Sequence, residues 1–85
     1  LTVVIVASYS GKLRPTGNCT HRVGGEVVQI FDELQIEKFS ENEFYLLYFR
    51  DGNEVTDTYH GTFDAALEQA EFEFGITLDD WKFRQ

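Results

Sequence analysis

Methionine is absent from the 85 residues, and cysteine, proline and tryptophan occur once each. A lone cysteine, Cys19, forbids an internal disulfide, and no Cys/His array is dense enough for a structural zinc finger. No apolar run approaches the roughly eighteen residues of a membrane span. Positive charge is scarce: seven Lys+Arg stand against fifteen Asp+Glu, a net charge of −8. A field of that sign repels nucleic acid and anionic membranes and attracts a basic protein, although it also serves plain solubility. The scarcity is uneven. Residues 1–25 hold Lys12, Arg14 and Arg22 and no acid, whereas every acid follows, beside only Lys38, Arg50, Lys82 and Arg84. No basic region precedes the apolar stretch Thr2–Ala7, which is too short for a signal peptide, so a cytoplasmic protein of bacterial style is expected. The missing methionine extends to position 1. That is expected where numbering begins inside a longer chain, or where a non-standard start codon is read as Leu.

Apolar residues make up 42% and aromatic ones 15%, ample for a packed core, which excludes disorder. The length fits one domain, 1–85, able to bury roughly 60% of the surface that its unfolded chain exposes.

Thr2–Ala7, rich in β-branched residues without alternation, reads as a strand buried on both faces. Ser8–Gly25 carries four glycines and Pro15 and reads as a long loop, expected to be the most mobile segment. Glu26–Phe31 and Leu34–Phe39 read as two strands around an Asp32-Glu33 turn, although Val27–Phe39 also fits one helix. Phe44–Phe49 and Glu54–His60 form a hairpin, because Asp51-Gly52 supplies the positive φ that a tight turn needs. Thr62 caps a helix over Phe63–Phe74, and Gly75 ends it. Phe63, Ala66, Leu67, Ala70 and Phe74 share its apolar stripe, with Asp64, Glu68 and Glu71 on a solvated flank. Phe72 faces away. Ile76-Thr77-Leu78-Asp79-Asp80-Trp81 has the pattern of a capping box and a hydrophobic staple, predicting a short helical turn over 78–82 that lets Trp81 or Phe83 cover Phe72. The expected fold is α+β: an antiparallel sheet of about four strands with one C-terminal helix on a face. Neither face of Phe44–Phe49 is charged and one helix covers only one of them. A homodimer through the second sheet face or an edge strand is therefore expected.

Motifs for chemistry are thin. Ser10-Gly11-Lys12 lacks the first glycine of a phosphate loop, and Pro15 and Gly17 forbid the helix that should follow. Cys19 and His21 are spaced as two metal ligands could be. The only other histidine is His60, and a further ligand would have to be a carboxylate. Two close ligands are a weak signal, so a solvent-exposed pair is expected, with no metal and no cofactor. Asp57 and His60 lie three apart on a strand and face opposite ways, so they cannot form a relay with Ser8 or Ser10. No catalytic residue is identified and no enzyme is expected.

Glu71 and Glu73 sit at the helix C-terminus, where the dipole disfavours them. Cations of a partner, or of the chain's own loop and tail, would offset that cost. Glu68, Glu71, Asp79 and Asp80, with Phe72, are the candidate surface for a basic partner. The alternative is a small-ligand or nucleic-acid site on loop 8–25 using Lys12, Arg14 and Arg22 beside Tyr9. The stretch Thr62–Trp81, which begins Thr-Phe-Asp-Ala-Ala-Leu-Glu-Gln-Ala-Glu-Phe-Glu-Phe-Gly-Ile, resembles the C-terminal part of short uncharacterised bacterial proteins. In size, acidity and make-up the whole chain is similar to small bacterial immunity or antitoxin proteins, which bind and block a toxin. That resemblance implies a non-enzymatic, protein-binding inhibitor of a basic partner and assigns no residue a role.

Overall fold

The computed structural model describes residues 3–28 and 30–84. Its elements are β1 (Val4–Ser10), β2 (His21–Val23), β3 (Glu26–Val28), β4 (Glu33–Ser40), β5 (Glu43–Arg50), β6 (Asn53–His60), helix α1 (Phe63–Phe74), a 3-10 turn (Leu78–Asp80) and β7 (Lys82–Phe83). The fold is α+β. Five antiparallel strands run in the order β6-β5-β4-β1-β7, β2 and β3 form a separate hairpin, and α1 packs on the main sheet. The sequence-based count of about four strands is thus one short in the main sheet and omits the small hairpin.

Register follows the two-residue period of a strand. Leu34 and Ile36 of β4 stand opposite Tyr48 and Leu46 of β5, and Ala7 of β1 pairs with Ile36. All five are fully buried and, with Phe44, form the sheet side of the core. Ala66, Ala70 and Phe74 of α1 close it, joined by Leu13, Phe31, Ile76 and Trp81. The helix begins and ends where its caps direct. Thr62 Oγ1 accepts from Ala65 N–H at 3.0 Å, and Gly75 takes the left-handed φ of 71° that a side chain would resist. Asp51 and Gly52 turn the β5–β6 hairpin with positive φ at both positions.

Several expectations change. β1 is not buried on both faces: Val3 and Val4 are exposed, at the end of the strand that lies beyond its pairing with β7 at Ala7 and Ser8. The start of that predicted strand, Thr2, lies outside the described residues. The predicted strand Glu26–Phe31 stops at Val28. Gln29 lies outside the described residues, Ile30 is 72% exposed, and Phe31 enters the core without strand pairing. The rival helix over 27–39 gives way to β4, whose residues pair on both sides. The long loop is shorter than expected, since Ser8–Ser10 extend β1 and Gly24-Gly25 turn a hairpin. What remains is tied down: Leu13 is in the core, Gly11 N–H donates to the Asp32 carbonyl, and Thr16 N–H donates to that of Glu73. The tail turn is 3-10, and Lys82 belongs to β7 rather than to a helix. Its capping box is present, with Thr77 N–H donating to Asp80 Oδ2 at 2.7 Å, and both staple residues, Ile76 and Trp81, are buried. Neither Trp81 nor Phe83 covers Phe72, which stays 51% exposed, because Trp81 enters the core and Phe83 packs edge-on against Phe63.

The sheet face away from α1 carries Tyr45, Leu47 and Phe49 of β5. Leu47 is buried and the two rings are half-buried. Tyr45 packs edge-on with Phe39 and Tyr59. Glu33, Glu37, Glu54 and Asp57 border this strip on the flanking strands. Partial burial, then the charges of Asp57 and Glu37, push the Glu54 carboxyl above its usual range. A second copy on this face would meet like charge. Among the described residues, no helix is long and apolar enough to cross a membrane.

Candidate functional site

Two places concentrate chemistry. The first is a groove between α1 and the tail. Asp64, Glu68 and Glu71 succeed one another at i, i+4 and i+7 along the helix, so they share one flank. Asp79 comes from the 3-10 turn opposite, and Leu67, Ile76, Leu78 and Trp81 form an apolar floor. The groove encloses about 650 Å³, and among the described residues no Lys, Arg or His lines it. The structure therefore brings three of the predicted partner-binding acids, Glu68, Glu71 and Asp79, around one concavity. It separates the other two residues of that set. Asp80 spends its carboxylate on the capping box, and Phe72 lies around the helix in a shallower depression with His60, Ala65, Gln69, Glu68 and Glu71. Leu67, expected to be buried, is half-buried because it forms part of the groove floor. The alternative set, Lys12, Arg14 and Arg22, is exposed, and Lys12 and Arg14 flank the buried Leu13.

The second place is interior and was missed from the sequence. Glu73, read from the sequence only as an acid at the helix C-terminus, is just 3% exposed. Counted from Phe63 it falls at about 280° on the helical wheel, next to Ala66 at about 300°, at the margin of the apolar stripe. That angle was the available signal. Its Oε2 accepts from the Tyr48 hydroxyl and from Gln69 Nε2 at 2.8 Å, while Oε1 faces His21 Nε2 at 2.5 Å. Burial first, and then the hydrogen bond to Glu73, push the Tyr48 phenol far above its ordinary range, so it remains a donor at physiological pH. The rings of His21, Phe31 and Phe74 pack against its ring at tilted angles. The loop also completes the helix end: Thr16 Oγ1 and Asn18 Nδ2 donate to the Phe72 carbonyl at 2.6 and 3.0 Å. These donors satisfy last-turn carbonyls that a helix leaves unpaired. The loop's contribution here is neutral donors rather than the loop or tail cations expected: among the described residues no Lys or Arg pairs with Glu71 or Glu73.

Cys19 and His21 are not the solvent-exposed pair expected. Cys19 is half-buried and the His21 side chain is 12% exposed, because the loop tucks both against α1. Burial, and then the charge of Glu73, push the Cys19 thiol up. His60 does not join them. It sits on β6 with Nε2 2.8 Å from Thr58 Oγ1, and burial lowers its pKa from 6.5, outweighing the opposing charge of Glu73. The native state thus favours neutral His60, while the unfolded chain protonates it at the ordinary value. Its contribution is present above about pH 6.5, the unfolded value, and is lost below it as the pH falls through the lowered native value. His60→Gln is expected to lose less stability than wild type between about pH 7.5 and 5.5 in urea melts. Equal losses would mean that His60 is not coupled to folding.

The fold and these two sites define a small α+β domain with an acidic groove and a buried polar cluster. Compared with protein-family models, curated proteins and solved structures, the chain matches none.

Proposed function

We propose that this is a non-enzymatic protein-binding domain whose groove between α1 and the tail takes a basic, apolar-anchored segment of a partner protein. One observation carries the reading: four carboxylates, Asp64, Glu68, Glu71 and Asp79, ring an apolar floor with no cation among the lining residues. Like charges at i, i+4 cost a helix a few tenths of a kcal/mol each. A cationic partner would convert that repulsion into complementarity and speed its own encounter. An inhibitor of a basic protein, as in immunity-type proteins, is the role most in keeping with this surface and with the chain's size and charge.

Trp81 is the only tryptophan and lies in the groove floor, so its emission reports occupancy. A synthetic peptide with Lys and Arg flanking Leu and Phe is the probe. It is expected to shift Trp81 emission saturably at low salt and more weakly at high salt. The triple variant Glu68→Gln, Glu71→Gln, Asp79→Asn is expected to bind about tenfold more weakly, three exposed pairs being worth about 0.2–1 kcal/mol each. Unchanged binding in that variant overturns the reading. So does a response to polyanions that vanishes when Lys12, Arg14 and Arg22 are neutralised, which would favour the loop instead.

A further inference from the structure

We infer that Cys19, His21 and Glu73 form a site for a divalent transition metal of the zinc class. Their donor atoms, Sγ, a ring nitrogen and a carboxylate oxygen, lie within 4.8 Å of one another. Cys19 Sγ is 4.0 Å from His21 Nε2, which is 2.5 Å from Glu73 Oε1. The set contains the chain's only cysteine and one of its two histidines. The loop leading into β2 brings Cys19 and His21 together against Glu73 in the last turn of α1.

The third ligand is already braced. Tyr48 and Gln69 both donate to Glu73 Oε2, which leaves Oε1 turned toward the thiol and the imidazole. Such outer hydrogen bonds are what orient a ligating carboxylate in a metal site. A cavity of about 10 Å³, the room of a single small occupant, adjoins the three ligands and is walled by Pro15, Val28, Phe31 and Phe74.

Chemistry narrows the ion. Sulfur, imidazole and carboxylate together suit Zn²⁺, and oxygen-seeking Mg²⁺ and Ca²⁺ do not use thiolate. A thiolate and a carboxylate supply two negative charges to a dication, with the imidazole neutral. Binding must release the thiol proton, so affinity rises with pH. Tetrahedral zinc, with bonds of about 2.0–2.3 Å, sets its ligand atoms about 3.3–3.6 Å apart. The Cys19–His21 separation has to close by a few tenths of an ångström, the His21–Glu73 separation to open by about 0.8 Å, and the Cys19–Glu73 separation, which is within 4.8 Å, to close by up to about 1.2 Å; rotation of the Cys19 side chain supplies both closures. Three protein ligands leave the fourth corner to water or an added ligand.

The test is titration of untagged, reduced, chelator-treated protein with Co²⁺, then competition with Zn²⁺. Expected are visible bands of tetrahedral cobalt and a near-ultraviolet thiolate-to-cobalt band, both erased by Zn²⁺. Zinc alone is expected to raise the melting temperature, and EDTA to reverse it. Cys19→Ser is expected to abolish the thiolate band and weaken zinc binding at least tenfold. Its near-ultraviolet circular dichroism checks that it folds, and His21→Gln supplies an independent loss. Absence of the thiolate band in wild type overturns the site. Zinc affinity unchanged in Cys19→Ser also overturns it, since that marks adventitious binding to surface carboxylates.

Discussion

Glu73→Ala is expected to lower the unfolding free energy by about 3–5 kcal/mol, since three buried or part-buried groups lose a partner and each group left unsatisfied costs about 1–3 kcal/mol. For a domain with about 5–15 kcal/mol in hand, that is a large fraction of the total. The loss has two sources. The Tyr48 hydroxyl, Gln69 Nε2 and the His21 ring lose their common acceptor inside the protein, and the neighbouring core residues lose the contacts of the removed side chain. Glu73→Gln keeps the shape and one acceptor and is expected to cost less, about 1–3 kcal/mol. Tyr48→Phe is expected to cost about 1.5–3 kcal/mol, because its hydrogen bond goes to a carboxylate. The double variant should then cost less than the two together, as for groups in one network. Urea melts of the set decide it. A change near zero for Glu73→Ala would mean that the cluster is not closed as described.

Trp81→Ala is expected to cost about 3–5 kcal/mol, the usual price of truncating a large buried aromatic. Trp81 is 6% exposed and joins the core beside Ile76. It also leads straight into β7, whose residues pair with Ala7 and Ser8, and Arg84 N–H donates to the Val6 carbonyl at 2.9 Å. Truncation therefore empties a core site and loosens the outermost strand together. Trp81→Phe retains an apolar ring and is expected to cost less. Far-ultraviolet circular dichroism is the probe, since the sole tryptophan is gone in both. A loss below about 1 kcal/mol for Trp81→Ala would show that the tail is not clasped to the core.

What the sequence reveals here is local. The bounds of α1 follow from Thr62 and Gly75, and the β5–β6 turn from Asp51-Gly52, because each signal acts within a few residues of the structure it sets. The β2–β3 hairpin had a signal in Gly24-Gly25. Its strands are three residues long and show no alternation, so the glycines read as loop. β7 is two residues long and is defined by its distant partner β1 rather than by any pattern of its own. The candidate groove was legible in part, since acids at i, i+4 and i+7 announce a flank, but the fold of the tail decides which of them face Asp79. The buried cluster was the least legible. A carboxylate at the margin of an apolar stripe looks solvated until the tyrosine, glutamine and histidine that satisfy it are known. Two of those three come from elsewhere in the chain.

The pairing of β1 with β7 also bears on the order of folding. The β4–β5 and β5–β6 hairpins each close a loop of two residues, Glu41-Asn42 and Asp51-Gly52. Joining Ala7 to Phe83 instead closes a loop of nearly the whole chain. Closure entropy grows with loop length, and such distant contacts are rewarded only after the intervening chain is ordered. The three-stranded meander β4–β6 is thus the natural nucleus, with β7 docking as a late step. The cost of Trp81→Ala should accordingly appear in the unfolding rate, while refolding stays close to wild type.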